Sequence, residues 1–517
     1  MENKYLSYLP GIGLFIIALV VTFVTYKDYG MTWDELDQRQ TGLLSFKYAT
    51  SGDPELYSYA YRWYGAGFEL PLYCFEKWFH LTDYRDIFFM RHLVTHLLFL
   101  VSALAVYVLS LKLSKNVIVA SVCFIMMLFA PRIYAHSFFN TKDIPFLALF
   151  IITLAFSKIA FDKNKPAWYA VLGILAGYTT SIRVMGIMLV GLLLGLLLID
   201  WLKESDKEAK KKSLISLGLY VICFAVTLIG AWPFLWRAPV ANFLESYSVM
   251  SHYKWDGSVL IRGIYEHTTE LPWDYFPTWF VITTPILWTA LGVTGFALII
   301  RDFVKRAKVY FTNSPERHNM LTLLCFFIPI FAVVKLNAVI YDDWRHLYFV
   351  YPPFVILAGY TISQIINGKF KWVVVSVCAL QLGIVAFFMV KNHPFQEVYF
   401  NELTSHEDQY LRENYELDYW GASFKQGLEF LAKKQPTDTI RLACNYDDPV
   451  RHNTKILPIK DRERFVFTDF QHADYFITNF RGHKEDYPSK DVAYEISVLN
   501  SCIMRIYNLK PKPAAGK

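Results

Sequence analysis

Long apolar runs govern what this chain can become. A helix that crosses a bilayer needs about 20 mainly apolar residues. Such runs recur at roughly 9–26, 88–111, 117–131, 144–161, 167–182, 184–201, 213–235, 277–300, 320–340, 347–366 and 371–390. In hydrocarbon every backbone N–H and C=O must find a partner inside the protein, so these runs read as helices. Eleven of them imply an α-helical multi-pass membrane body over residues 1–390. The composition agrees, with 54% hydrophobic and 19% charged residues, against about 25% charged in soluble chains. It excludes disorder and a disulfide-rich secreted scaffold. With a net charge of only +6, it also excludes a basic nucleic-acid binder. The first run lacks a small-residue cleavage site and passes straight into Tyr26-Lys27-Asp28-Tyr29, so it reads as a span and not as a removable signal.

Basic residues orient the body. With the N-terminus inside, the inner loops 112–116, 162–166, 202–212, 301–319 and 367–372 hold 16 Lys and Arg in 46 residues. The outer loops 27–87, 131–143, 181–183, 236–276 and 341–346 hold 13 in 124. The positive-inside rule therefore predicts a cytoplasmic N-terminus. An odd number of spans puts the C-terminus outside. The outer loops of about 27–87 and 236–276 are long and aromatic, which suits amphipathic helices in the interface; Tyr57–Tyr64 is the clearest case.

After about residue 390 the hydropathy falls, and residues 391–517 read as a small periplasmic α/β domain. Phe424–Lys434 has helical amphipathicity. Thr439–Cys444, Ala473–Thr478 and Ala493–Tyr507 read as strands by alternation and by Ile, Val, Tyr and Phe content. Cys444 and Cys502 fall in two of these strands, and whether they pair is not readable from spacing. Lys510–Lys517 reads as a disordered tail.

Ionisable groups near membrane depth are costly and therefore candidates for function. Here they gather on the outer face: Asp34 and Glu35 after span 1, Arg91 and His92 entering span 2, Lys142 and Asp143 entering span 4, Arg183 between spans 5 and 6, and Asp342, Asp343, Arg345 and His346 between spans 9 and 10. Each also has a structural role open to it. Thr32-Trp-Asp-Glu35 fits a capping box, and Asn140-Thr-Lys-Asp143 can cap span 4. Arg183 and Arg345 could anchor lipid headgroups, and His92, His136 and His346 could be ordinary hydrogen-bonded interface residues. The functional case rests on five separate loops bringing complementary charges to one face. Acids beside several cations suit a phosphate-bearing ligand next to a general base.

Taken in order, these segments resemble a known family. Trp33-Asp34-Glu35 after span 1, the long first outer loop, Arg91, Asn140-Thr-Lys-Asp-Ile-Pro145, Ser181-Ile-Arg-Val-Met-Gly186 and Arg345-His-Leu-Tyr-Phe-Val-Tyr-Pro-Pro353 are similar to segments of the GT-C glycosyltransferases. The branch is the one with protein O-mannosyltransferases and the lipid A aminoarabinose transferase. His393–Asn401 and Leu417–Ser423 resemble segments after the last span in bacterial members; their aromatics are expected to seat the domain on the bilayer. The sequence departs from the mannosyltransferases in lacking a His-Phe-Gly continuation, with Leu36-Asp-Gln-Arg-Gln-Thr-Gly42 in its place. The resemblance implies an inverting transferase that moves a sugar from a polyprenyl-phosphate donor to a hydroxyl acceptor on a protein, a lipopolysaccharide or an envelope glycan. In that reading Asp34 is the general base, with Glu35 and Asp143 beside it. Arg183 and Arg345 stabilise the leaving phosphate, helped by Arg91, Lys142 and His346. No cofactor is implied with certainty, and a divalent metal held by Glu35 and Asp143 is left open. The rival reading is a multi-pass transporter of a polar or phosphorylated solute, which should show internal repeats and midplane charges.

Overall fold

The computed structural model describes residues 5–510, except 252, 254, 313, 337 and 367; the expected tail beyond Lys510 lies outside the described residues. In chain order the helices of the body are α1 (Leu9–Thr25), α2 (Glu35–Ser51), α3 (Glu69–Trp78), α4 (Tyr84–Ser114), α5 (Val117–Leu128), α6 (Pro131–Phe139), α7 (Asp143–Lys163), α8 (Pro166–Thr180), α9 (Ile187–Lys203), α10 (Lys207–Ala231) and α11 (Pro239–Ser251). A hairpin of β1 (Ser258–Ile261) and β2 (Ile264–His267) follows. Then come α12 (Tyr275–Thr283), α13 (Ile286–Arg306), α14 (Pro315–Lys335), α15 (Tyr351–Ile365) and α16 (Lys371–Lys391).

All eleven apolar runs contain helix, but they do not give eleven equal spans. Among the described residues, eight helices are long and apolar enough to cross, and the pair α5 and α6, bent by 61°, makes a ninth if taken as one span. Pro131 opens α6 immediately after Ala130 leaves the helical region, and proline at that position ends the ladder of the preceding helix. The helices α8 and α15 have 15 residues each, short of the ~20 that span the hydrocarbon. α15 is extended by a 3₁₀ turn over Arg345–Val350, and that turn carries Arg345 and His346.

Helix packing follows the small-residue logic of membranes. Gly173 and Gly177 on α8 lie against Tyr220 and Phe224 of α10 so closely that a Cβ at either would strike a backbone carbonyl. α1 packs Leu14, Phe15, Ala18 and Leu19 against the core and leaves Ile12, Ile16, Ile17, Val20, Phe23 and Val24 exposed, as a helix with one lipid-facing side does. The loops differ from expectation in two places. Only Glu55–Ser58 is helical in the Tyr57–Tyr64 region. The second long loop holds α11 and the β1–β2 hairpin.

The C-terminal part contains α17 (Phe424–Lys434), β3 (Ile440–Cys444), α18 (Asp447–Lys455), β4 (Phe465–Phe467), β5 (Tyr475–Thr478), β6 (Val492–Val498) and β7 (Ser501–Asn508). The sheet has the order β4-β3-β5-β7-β6, parallel on one side and antiparallel on the other. The expected single strand Ala493–Tyr507 is a hairpin. It turns at Leu499 and Asn500, both with positive φ, the geometry of a tight two-residue connection. Apolar residues flank the turn on both sides, which hid it. Cys444 and Cys502 are both free, because β5 lies between β3 and β7.

The sheet domain grips the start of the first loop. Asn453 of α18 accepts from Met31 N at 2.8 Å and donates to Met31 O at 2.7 Å. Lys425 of α17 donates to the carbonyls of Lys27 at 2.7 Å and Asp28 at 3.0 Å. Trp33 N donates to Trp420 O at 3.2 Å. The backbone leading into Asp34 is therefore fixed by residues nearly 400 positions away.

Candidate active site

α2 begins at Glu35, with Asp34 as the residue that enters it. The Asp34 carboxylate makes no cap hydrogen bond, which leaves it free for other work. Its Oδ2 lies 3.3 Å from Lys142 Nζ, and 30% of its side chain is open. The opening leads into a cavity of about 340 Å³ lined by Trp33, Asp34, Asp37, Tyr64, Lys142, Tyr341, Asp342 and Arg345, among others. That is the size range of small-molecule sites. Burial pushes the Asp34 carboxyl up, but Lys142 and Arg345 outweigh it and hold the group below its ordinary value.

Glu35 faces the other way. Its Oε2 accepts from Thr32 N at 2.7 Å and Thr32 Oγ1 at 3.1 Å, and its Oε1 meets His92 Nε2 at 2.9 Å. Half of the capping box has formed, and its product is a tether between the start of α2 and α4.

Asp143 opens α7. Asn140 Oδ1 accepts from Asp143 N at 2.8 Å and so caps the helix, while Asn140 Nδ2 donates to Asp143 Oδ2 at 2.9 Å. The carboxylate then bridges two guanidiniums, with Arg183 at 2.8 Å on Oδ1 and Arg345 at 3.4 Å on Oδ2. Arg345 continues to Asp342 Oδ2 at 3.4 Å, and Asp342 Oδ1 reaches Arg481 at 3.0 Å. The result is a row of alternating charges, Arg183–Asp143–Arg345–Asp342–Arg481, running from the membrane helices to the C-terminal domain. Arg345 also lies 4.9 Å from the ring centres of both Tyr341 and Trp420.

A second, apolar cavity of about 180 Å³ adjoins the first. Tyr64, Tyr253 and Tyr341 line both. Arg183 and His346 belong to the apolar side, with Met185, Met188, Val333 and Leu336. Tyr64 is seated on this border because Gly65 and Gly67 let the first loop lie directly on Ser181, where a Cβ would clash with that residue. Gly67 N donates to Ser181 O at 3.0 Å. Lys142 Nζ sits 4.6 Å from the Tyr64 ring centre.

Two of the expected roles need correction. Arg91 does not join the cations: it is fully buried and paired with Glu69 and, at 3.0 Å, with Glu76, both on α3. It lines neither cavity, because two carboxylates already neutralise it. Glu35 and Asp143 also do not converge as metal ligands. Glu35 is occupied by Thr32 and His92, and Asp143 by two arginines. Among the described residues no group of three or more His, Cys, Asp or Glu could hold a metal ion, so the pair does not fit a divalent ion.

Sequence reasoning missed the contribution of the C-terminal domain. Glu416, Tyr419, Trp420, Tyr446 and Arg481 all line the larger cavity, so the Leu417–Ser423 segment does more than seat a domain. The Tyr419 hydroxyl donates to Asp343 at 2.9 Å and lies 3.0 Å from His136 Nε2. Asp37 was also missed, although its position one turn after Asp34 on α2 was a usable signal.

Residues 12–241 match the family model described as dolichyl-phosphate-mannose-protein mannosyltransferase. No curated protein matches the chain. Among solved structures, apo ArnT from Cupriavidus metallidurans is similar with a TM-score of 0.52 and 13% identity, covering 96% of this chain and 97% of that one. The oligosaccharyltransferase AglB from Archaeoglobus fulgidus, in complex with an inhibitory peptide and a dolichol-phosphate, gives a TM-score of 0.50 and 11% identity over 93% of this chain and 70% of that one. In its apo form the archaeal enzyme is matched over 64% of its own length, with a TM-score of 0.49 and 10% identity over 88% of this chain; this chain thus spans about two thirds of that protein. The family match over the N-terminal segment and the shared fold bear out the expectation from sequence: this is a multi-pass membrane protein with the fold of the GT-C glycosyltransferases.

Proposed function

We propose that the chain transfers a sugar from a polyprenyl-phosphate donor to an acceptor hydroxyl at the outer face of the cell membrane. In this reading residues 1–390 form the catalytic body, the N-terminus is cytoplasmic and residues 391–517 are periplasmic. The observation that carries the proposal is the junction of two unlike cavities. The apolar one, with Met185, Met188 and Leu336, suits a prenyl chain. The polar one, with Asp34 and Asp342, suits a sugar. Lys142 and Arg345 line the polar cavity and Arg183 and His346 the apolar one, on either side of the shared Tyr64, Tyr253 and Tyr341, and a phosphate between lipid and sugar would lie between these cations. The archaeal oligosaccharyltransferase with a similar fold was solved with a dolichol-phosphate, which supports a lipid phosphate as ligand.

The chemistry follows from the side chains. The acceptor oxygen attacks the anomeric carbon from the face opposite the phosphate, and its proton passes to the Asp34 carboxylate. The bond from the anomeric carbon to the phosphate oxygen breaks, and polyprenyl phosphate leaves with the electron pair. Arg183, Arg345 and Lys142 stabilise the charge that develops on it. Asp143 touches no substrate in this scheme; it is a positioning residue that holds the two arginines. Replacing Asp34 by Asn tests the assignment. The variant should keep undecaprenyl-phosphate binding and lose transfer by about 10²-fold or more, on the order expected for a general base. Wild-type transfer by that variant would overturn the role of Asp34.

A further inference from the structure

The scheme above uses one wall of the polar cavity and leaves the opposite wall without a task. That wall is built by Glu416, Tyr446 and Arg481 of the C-terminal domain together with Trp33 and Trp255 of the body. Glu416 is only 7% exposed, lines the cavity, and has no hydrogen-bond partner for Oε2. A buried polar atom left unpaired costs about 1–3 kcal/mol, so this oxygen calls for a donor from a ligand. Next to it Arg481 donates to Asp342 and to Tyr419 O at 2.5 Å, and lies 5.9 Å from the ring centres of both Trp33 and Trp255. Trp33 is held edge-on by Tyr446 at 5.6 Å, and Trp255 is stacked on Tyr341 at 4.5 Å. The wall thus combines aromatic rings fixed by their neighbours with a carboxylate that lacks a donor.

We propose that this wall is the acceptor subsite and that the acceptor is a saccharide, with Glu416 accepting a hydrogen bond from one of its hydroxyls. The inference rests on the transferase reading above. A pyranose ring offers an apolar C–H face to an indole and a rim of O–H donors to a carboxylate, which is the combination this wall presents. A second phosphate is disfavoured because Arg481, the cation beside Glu416, is already engaged by Asp342 at 3.0 Å. An extended peptide would look for a free sheet edge, and the nearest strand, β1, is paired with β2 and bridged to Tyr415 on its other side. In the reaction a second hydroxyl of the same acceptor ring gives its proton to Asp34 and its oxygen to the anomeric carbon, while the phosphate departs with the bonding pair.

The test uses the full-length protein in nanodiscs. The donor is the lipid-linked sugar extract of a deletion strain, and the acceptor is the envelope fraction of that strain, treated with protease or oxidised with periodate. Mass spectrometry reads the transfer. Transfer should survive protease and be lost after periodate. Glu416→Gln should raise the acceptor KM at least tenfold, with undecaprenyl-phosphate affinity within twofold of wild type, which also reports folding. Trp255→Leu serves the same purpose if that variant does not fold. A periodate-resistant, protease-sensitive acceptor would overturn the proposal, as would an unchanged acceptor KM in both variants. Failure of the wild-type protein to modify any fraction would overturn the transferase reading, and this one with it.

Discussion

Replacing Asp143 by Asn should have opposite effects on stability and on lipid-phosphate binding. In the native chain this carboxylate accepts from Asn140 at 2.9 Å and neutralises Arg183 at 2.8 Å and Arg345 at 3.4 Å. An amide keeps the shape and removes the charge. Arg183 then loses its anionic partner among the described residues and keeps neutral acceptors, the His346 carbonyl at 3.4 Å and the new amide oxygen. Arg345 retains Asp342 and the rings of Tyr341 and Trp420. Breaking a buried pair by removing one partner costs about 3–5 kcal/mol. The lower end applies, because Asp342 still compensates one guanidinium and 11% of the Arg183 side chain is open. A lipid phosphate would supply the missing negative charge. If binding recovers about 1.4 kcal/mol of the loss, the affinity for undecaprenyl phosphate rises about tenfold. The assay is thermal unfolding of the full-length protein in nanodiscs, titrated with undecaprenyl phosphate. Stabilisation grows with ligand concentration over Kd, so the variant should start less stable and gain more than wild type. Sugar transfer should fall, since the neutral amide no longer fixes the two arginines. A variant that binds the lipid phosphate more weakly than wild type would refute the reasoning, because it would mean that the Arg183–Asp143–Arg345 junction is not where phosphate sits.

The remaining predictions separate structural charges from those at the site. Arg91→Met should destabilise the protein by about 3 kcal/mol, because Glu69 is left buried and unpaired while Glu76 keeps Arg39 at 2.8 Å, yet leave undecaprenyl-phosphate affinity unchanged in the folded fraction. For wild type, the acid limb of kcat/KM should lie below the ordinary aspartate value of 3.8, because Lys142 and Arg345 keep Asp34 ionised against burial; a limb near the ordinary histidine value of about 6.5 would point to a different base. Glu416 gives a stability profile of the opposite sense, since burial raises its carboxyl from 4.5 to about 7. The folded state then holds a proton that the unfolded chain has released between these values, so stability falls as pH rises from 4.5 to about 7, by at most about 3 kcal/mol. Glu416→Gln should flatten that slope, and a wild-type profile that rises across the same window would contradict it.

The sequence placed Asp34, Lys142, Asp143, Arg183 and Arg345 in one region because span order and loop length leave short loops no other place to be. It could not separate Glu35 from Asp34. The two are adjacent, but one helical step turns the first onto His92 and leaves the second in the cavity. Arg91 was misread for a related reason. Its partners Glu69 and Glu76 lie on α3, inside a long outer loop, and sequence does not show which membrane helix that loop folds back against. The hairpin at Leu499 and Asn500 escaped because its two-residue turn contains no glycine or proline and strand-forming residues continue on both sides of it.

What the sequence determined by itself was the solvent. Eleven apolar runs require a bilayer, the Lys and Arg asymmetry fixes an expected orientation, and the few charges left on the outer face mark the region of the site. Those are one-dimensional properties, set by transfer energy per residue along the chain. The tertiary structure decided which charges face one another and which wall closes the cavity. Arg481 and Glu416 reach it from a sheet domain whose link to Asp34 is a set of hydrogen bonds to backbone atoms of Lys27, Asp28 and Met31. Backbone groups are the same at every residue, so contacts of that kind leave no signature in the sequence and exist only once the fold brings the partners together.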